Sequence, residues 1–472
     1  MWSSCVLVHI EVPIPLPVFS RTSKLFRRRM LSKRPQMELV FLGTCSMVPT
    51  LSRNVSSIAL RLDNEYWIFD CGEGTQLQLQ KGKVNPSLIT RIFVTHLHGD
   101  HVFGLPGMLI QVGNAGKVRV IQIVGPRGLR NYIRTNLTIT TSGFMSKYCV
   151  DEVWETEKEL SSDHEKDDKL HCCEVPGRNI VMLRNAISGH GYWKIPRVDK
   201  NNSNFKEIQI MAASLKHSIF CLGFVIQESP YPGKIKMTPS LQERLQSTAN
   251  RVFLLKKGIV NPLSLLQTLK TGKPVELVDG TLRPEKITGN SRLGRKITIL
   301  GDTCDSRAIA EMAFRSDVLI HECTNAHIPE LDKSSTVEEV EARSYIHGHS
   351  TPRTAGEFAN ALQCKQLILT HFSRRYSGDT VTARNILQQI VHQAKQFAPK
   401  CFVQCAHDLE RISIPITDES IEHAGTADEV ERAYASVSHL ADMTKTNVRD
   451  FFSKHTPRSV DRRGVAALGI DF

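Results

Sequence analysis

There is no Cys-x-x-Cys pair among the 12 cysteines of this 472-residue chain. Cys172 and Cys173 are adjacent, Cys401 and Cys405 are four apart, and the rest are scattered. No secreted disulfide framework follows from such spacing, so reduced, intracellular thiols are expected. No run of about 18 apolar residues occurs, so no membrane-spanning helix is expected. No internal repeat is evident. Acidic residues are missing between Val12 and Met37, where Arg21, Lys24, Arg27, Arg28, Arg29, Lys33 and Arg34 crowd together. Residues Val6–Phe19 are apolar but broken by Pro13, Pro15 and Pro17, which argues against a signal-peptide helix. A basic, acid-poor leader over residues 1–36 fits a mitochondrial presequence, a nuclear-type cluster or a disordered solvated tail. The expected location is cytoplasmic or nuclear, with the mitochondrion as the alternative.

What is present points to an anionic partner. The formal net charge is +12, and a hydrophobic content of 41% is ample for a buried core. The densest chemistry lies in Thr95–Gly107, which places His96, His98, Asp100 and His101 within six residues. The run Arg91–Thr95 before it is apolar and β-branched, a buried-strand pattern. The cluster therefore sits on a loop at the C-terminal end of a strand, where open α/β sheets tend to carry their sites. On an extended backbone His96 and His98 point the same way and can grip one ion. Asp100 and His101 follow a glycine and can face a second. Imidazole and carboxylate suit zinc, with manganese or iron fitting less well.

The same pattern recurs downstream. Short apolar strands run into His217, into Asp302, into Glu322 and into His371, and His349 lies just before an apolar-periodic helix. Chance histidines and acids would not keep choosing strand ends, so these residues are expected to converge. Upstream, the turn from Gly43 through Pro49 and Thr50 to Arg53 and Asn54 can hold a phosphate with its Thr, Arg and Asn donors. Asp151–Lys169 is charge-dense and acidic and reads as a solvated insertion. His164, His171, Cys172 and Cys173 lie nearby, but their spacing is poor for a third metal site.

The H-x-H-x-D-H run resembles the metallo-β-lactamase signature. With Gly104–Gly107 after it, with Pro49, Thr50, Arg53 and Asn54, and with Asp70–Gln76, it looks most like the ribonuclease Z family. Gly125–Leu129, His217 before Leu222–Phe224, His321–Thr324 with Cys323 in place of alanine, and His349–Thr351 extend the likeness. It covers about residues 37–416. The resemblance implies an αββα sandwich, zinc one on His96, His98, His217 and Asp302, and zinc two on Asp100, His101, Asp302 and His371. It implies two Zn2+ per subunit, with Mn2+ as the alternative ion, and a homodimer. The implied reaction removes the 3′ trailer from tRNA precursors, with Asp100 orienting the nucleophile, His349 protonating the leaving 3′ oxygen and Glu322 holding its ring.

Between Pro230 and Lys296 stand 13 lysines and arginines against four acids, a balance of +9. The family carries its tRNA-binding arm at this position, so the insertion of about residues 230–290 is expected to bind tRNA through Lys234, Lys236, Lys256, Lys257, Lys270 and Lys273. Asn261-Pro262 stands where the family often has Gly-Pro. Residues 417–472 are polar, with one helix expected near 427–440 and no role to be read. Two other functions share parts of this pattern. A hydrolase of small phosphodiesters or thioesters would use the same ligands without the arm, and a non-catalytic RNA-binding relative would lack ligands.

Overall fold

Along Met37–Gly43 alternate side chains serve two different cores: Leu39 and Phe41 enter one, Val40 and Leu42 another. This is the period-2 signature of a strand buried on both faces. The computed structural model of the chain describes residues 36–116, 120–156, 169–185, 188–196, 208–231, 233–270, 272–376, 378, 380–416 and 425–439. The basic leader, His164, most of the acidic insertion and residues 440–472 lie outside the described residues.

The first eight-stranded sheet comprises β1 (Met37–Gly43), β2 (Ser57–Leu62), β3 (Glu65–Phe69), β4 (Ile89–Phe93), β5 (Val120–Pro126), β6 (Lys147–Trp154), β7 (Asn179–Val181) and β18 (Arg411–Ser413). The second comprises β8 (Leu183–Arg184), β9 (Gly191–Lys194), β10 (Ile208–Leu215), β11 (Cys221–Glu228), β14 (Lys296–Leu300), β15 (Val318–Glu322), β16 (Gln366–Thr370) and β17 (Phe402–Cys405). A small hairpin, β12 (Val275–Leu277) with β13 (Gly280–Leu282), stands apart.

One core lies between the sheets and mixes their side chains: Phe41, Trp67, Phe69 and Phe93 from the first, Phe224, Ile297, Ile320 and Ile368 from the second. Phe69 and Phe93 stack at 4.8 Å, and Phe224 meets Phe93 edge-on at 5.3 Å, so aromatic contacts bridge the layers. Helices Leu105–Asn114 and Leu129–Ile139 cover the outside of the first sheet, and Pro352–Ala361 and Val381–Phe397 the outside of the second. The layering is αββα, as expected. Strands β3 to β6 run parallel, as do β14 to β17. Their C-terminal ends therefore gather side chains at one edge of each sheet.

One expectation needs correction. The acidic stretch does not start as a solvated insertion: Asp151 and Glu152 are buried in β6. Asp151 accepts from Arg178 at 2.5 Å, and Glu152 accepts the backbone N–H groups of Gly128 and Arg130 at 3.0 and 2.8 Å. A buried carboxylate persists where it finds such donors, and the partners come from sequence too distant for a local reading to see. The helix expected near 427–440 is present, and it adds to the fold beyond the closing strand. A helix over 427–439 buries Ala433 and Val437, and Tyr434 Oη lies 2.8 Å from His190 Nε2.

Candidate metal centre

Except for His349, the residues expected at the centre sit where a strand stops or shortly beyond. His96 and His98 follow β4, His217 follows β10, Asp302 follows β14, Glu322 ends β15, and His371 follows β16. Asp100 and His101 lie on a short helical turn, Gly99–Val102. His349 comes from the bend between helices Val337–Ile346 and Pro352–Ala361.

The ligating atoms converge in two groups. In the first, His98 Nδ1 lies 3.1 Å from His96 Nε2 and 3.2 Å from His217 Nε2, and Asp302 Oδ2 is 3.7 and 3.9 Å from the latter two. In the second, His371 Nε2 lies 3.3 Å from His101 Nε2 and 3.3 Å from Asp100 Oδ2. Asp302 reaches both groups: Oδ1 is 3.5 Å from His101 Nε2, and Oδ2 is 3.3 Å from His371 Nε2.

The outer nitrogens settle which atoms carry lone pairs. His217 Nδ1 must donate to the Gly348 carbonyl at 2.8 Å, since a carbonyl can only accept. His101 Nδ1 donates to Asp70 Oδ2 at 2.8 Å. Thr95 Oγ1 gives its proton to Asp70 Oδ2 at 2.8 Å, so His96 Nδ1 must donate to Thr95 at 3.0 Å. Thr324 Oγ1 likewise donates to Glu322 Oε2 at 2.8 Å, so His371 Nδ1 donates to Thr324 at 2.9 Å. The Nε2 atoms of all four rings, with the oxygens of Asp100 and Asp302, thus present lone pairs to one another. A metal ion or a proton resolves such an arrangement, and imidazole with carboxylate is a zinc donor set. Burial pushes His96, His98 and His217 below their usual pKa, which keeps them neutral and able to ligate.

Comparison with known proteins gives this chemistry a family. The chain is 33% identical over 394 residues to zinc phosphodiesterase ELAC protein 1 of Bos taurus, covering 80% of this chain and 99% of that one. It is 35% identical over 357 residues to ribonuclease Z of Microcystis aeruginosa, covering 75% and 90%. The chain belongs to the ribonuclease Z family. Among solved structures, human tRNase Z, short form, superposes with a TM-score of 0.50 at 28% identity, covering 80% of this chain and all of that one. A family model described as anti-Pycsar protein Apyc1 matches residues 37–140.

Beside the ligands, as the ribonuclease Z resemblance implies, Glu322 meets His349. Its Oε1 accepts from His349 Nδ1 at 3.0 Å and from the backbone N–H groups of Thr303 and Ser350 at 3.1 and 3.0 Å. Burial would lower the His349 pKa, but the Glu322 and Asp302 carboxylates push it up to about 9. Gly348, at φ +78°, has no room for a side chain: a Cβ would stand 2.6 Å from His217 Nδ1. The bend that brings His349 beside His217 therefore requires glycine.

The phosphate-loop expectation is only partly met. Arg53 is 6% exposed; it donates to Thr44 Oγ1 at 2.5 Å and the Ala406 carbonyl at 2.9 Å, and stacks on Phe372. Asn54 donates to Glu73 O and, through its backbone, to Asp408. Both are committed to holding the loop. Thr50 Oγ1 accepts from Arg53 N at 3.0 Å, and Pro49 is exposed. At the loop's start, Met47 N–H donates to Asp100 Oδ2 at 2.7 Å.

The basic insertion is a folded arm with its own small core of Leu241, Leu245, Leu254, Leu265, Leu269, Val275, Leu277, Leu282 and Ile287. It leaves β11 and returns into β14, which are paired neighbours. The buried Glu228–Arg295 ion pair, 2.6 Å at its closest, closes the root, and Arg295 also donates to Ile414 O at 2.9 Å. Close backbone approach defines the stalk: a Cβ on Gly233 would lie 1.8 Å from Gly289 O. Lys234, Lys236, Lys256, Lys257, Lys270 and Lys273 are all exposed. Arg295, counted in the +9, is buried at the root and belongs to the fold. Asn261 Oδ1 caps the turn that Pro262 begins, accepting Leu263 N–H at 3.0 Å.

The sequence alone assigns no role to Asp70, Thr95 or Thr324, the residues that fix the tautomers. Asp70 carries a usable signal, an acid directly after an apolar strand. Its φ of 58°, like the 59° of His371, places backbone strain at the site. The trio His171, Cys172 and Cys173 also draws together. There, however, His171 Nδ1 accepts Cys173 N–H at 3.3 Å, which puts the ring proton on the Nε2 facing Cys172. The facing lone pairs of the main centre are not reproduced.

Proposed function

We propose that this chain is a zinc-dependent endoribonuclease that removes the 3′ trailer from tRNA precursors, leaving a 3′-hydroxyl on the tRNA and a 5′-phosphate on the trailer. The observation that carries the reading is the set of facing lone pairs next to the Glu322–His349 pair, in a chain of the ribonuclease Z family. Two zinc ions are assigned, one to His96, His98, His217 and Asp302, the other to Asp100, His101, Asp302 and His371. When bound, such ions lower the pKa of water and supply a Lewis-acid clamp for in-line displacement at phosphorus.

The remaining work belongs to side chains. Asp100, held by Met47 N–H, orients the nucleophile. His349, its Nδ1 held by Glu322, has Nε2 left to protonate the departing 3′ oxygen. The arm lysines hold the tRNA, and their exposure leaves them open to its phosphates. A homodimer completes the reading; Leu77 and Phe103, exposed on the segments flanking the metal loop, suit contact with a second copy. No helix among the described residues is long and apolar enough to cross a membrane. An intracellular location is proposed, cytoplasmic or nuclear, with the basic leader keeping the mitochondrion as the alternative.

The test is cleavage of a tRNA precursor carrying a 3′ trailer, run beside bis(p-nitrophenyl) phosphate, with metal content and sedimentation measured on the same protein. Turnover of the small diester with an intact tRNA precursor would favour the rival hydrolase.

A further inference from the structure

Behind the loop that touches Asp100 lies a cavity of about 310 Å³, lined by Ser52, Arg53, Gly378, Arg384, Leu387, His407 and Asp408. We propose that this cavity binds a backbone phosphate of the RNA strand, with Arg384 as its principal donor. The inference rests on reading the chain as a ribonuclease.

The chemistry of the lining favours an anion. Arg53, Arg384 and His407 line it with a single acidic residue, Asp408. That carboxylate is already engaged: Asp408 Oδ1 accepts from Thr44 Oγ1 at 2.7 Å, and Oδ2 from Asn54 N at 2.6 Å and Gln78 Nε2 at 2.9 Å. Arg53 is buried, immobile and bonded to Thr44 and Ala406, so it contributes a fixed positive field. Arg384 is exposed, on the first turn of helix Val381–Phe397, where its fork can close on a phosphate in two-point fashion. Ser52 Oγ accepts Gly378 N–H at 2.8 Å and ties the two rims together, so the cavity keeps its shape.

Its place in the fold selects an RNA phosphate. Ser52 on the rim and Met47, whose N–H holds Asp100, are five residues apart, a span of at most about 18 Å. At the 3.4 Å per nucleotide of a stacked strand, the bound phosphate lies within about five nucleotides of the cleaved bond. Inorganic phosphate or a mononucleotide offers the same chemistry, so the experiment must separate the sources.

The full-length, metal-loaded protein is compared with Arg384→Ala and Arg384→Glu. The exposed position spares the core. KM and equilibrium affinity for a trailer-bearing tRNA precursor are measured at several salt concentrations, together with binding of inorganic phosphate. Arg384→Ala is expected to weaken RNA affinity about tenfold and to flatten the salt slope by about 0.7–0.9. Arg384→Glu should weaken it further. The maximal cleavage rate and bis(p-nitrophenyl) phosphate turnover should not move. Unchanged RNA affinity and slope in both variants overturn the proposal. Phosphate binding that depends on Arg384 without any change in RNA affinity makes this a free-anion site, which also overturns it. A wild-type protein that binds the precursor through Arg384 but never cleaves it would instead sink the functional reading and leave the cavity assignment standing.

Discussion

At the metal centre each of the four histidines His96, His101, His217 and His371 is held at one nitrogen so that the other is aimed. On the arm, six lysines stand exposed on a miniature core. The first region works by position, and moving one atom there misplaces a lone pair. The second works by sum, because long-range attraction to phosphate depends on how many charges are near and little on where each sits. The two regions should therefore fail differently: the centre all at once, the arm by degrees. The Glu228–Arg295 pair at the arm's root obeys the rules of the centre although it lies in the insertion, since it is buried and fully bonded.

The harshest break is Asp302→Ala. Both ligand groups lose their shared anion, so metal content should fall and cleavage should become undetectable. Affinity for tRNA precursor, which we assign to the arm and the Arg384 cavity, should persist. Two zincs per subunit and normal cleavage in this variant would show that the centre does not depend on Asp302.

His349→Ala comes next. It removes the proposed proton donor, which is not among the proposed ligands, so metal content and tRNA affinity should hold while the single-turnover rate drops by roughly 10²–10⁴. The companion Glu322→Gln removes the carboxylate that raises the His349 pKa to about 9. The imidazolium is the active form of a general acid, and its fraction falls as pH rises through the pKa. Lowering the pKa must move the alkaline limb of the single-turnover profile to lower pH. A limb that stays put, or a loss of zinc in His349→Ala, counts against the proton-donor role.

The same contrast governs how much of the molecule is legible in its amino-acid sequence. Ligands at strand ends are legible because strands are short, local and apolar, and a lone acid or histidine after each one stands out. Asp70 obeys that rule and can be found by it. Thr95 and Thr324 cannot, since their part depends on where a hydroxyl proton points, to Asp70 at the end of another strand for Thr95 and to Glu322 two residues before Thr324. Arg53 and Asn54 look like phosphate donors from a motif alone, and only tertiary packing reveals that Thr44, Ala406, Glu73 and Asp408 already engage them. The two-layer architecture is legible from the family resemblance. The arm's charge is legible as a count, while the burial of Arg295 within that count is not.

Excising the arm separates the two regions physically. The close approach of Gly233 to Gly289 shows where to cut: joining residues 233 and 289 through Gly-Ser keeps the Tyr231–Arg292 bridge and the buried root. The centre should then assemble and hydrolyse bis(p-nitrophenyl) phosphate at the intact rate. Affinity for tRNA precursor should fall on the order of 10²-fold at physiological salt, with a flatter salt slope. Intact affinity would make the arm a solvated insertion, with tRNA held elsewhere.

The smallest effect is the most discriminating. Lys270→Ala removes one exposed charge at the end of helix Leu265–Lys270 and leaves the buried Leu265 and Leu269 in place. If the arm acts by sum, affinity should fall only a few-fold, and the slope of log affinity against log salt should lose about 0.7–0.9, the share of a single phosphate contact. Lys256→Ala should do the same from another helix, and the two together should add, because distant independent sites do. If instead one of these substitutions costs as much as removing the whole arm, that lysine is a positioned contact like those of the centre. Measuring precursor affinity for both single variants and the double at two salt concentrations decides between a diffuse field and a fixed contact.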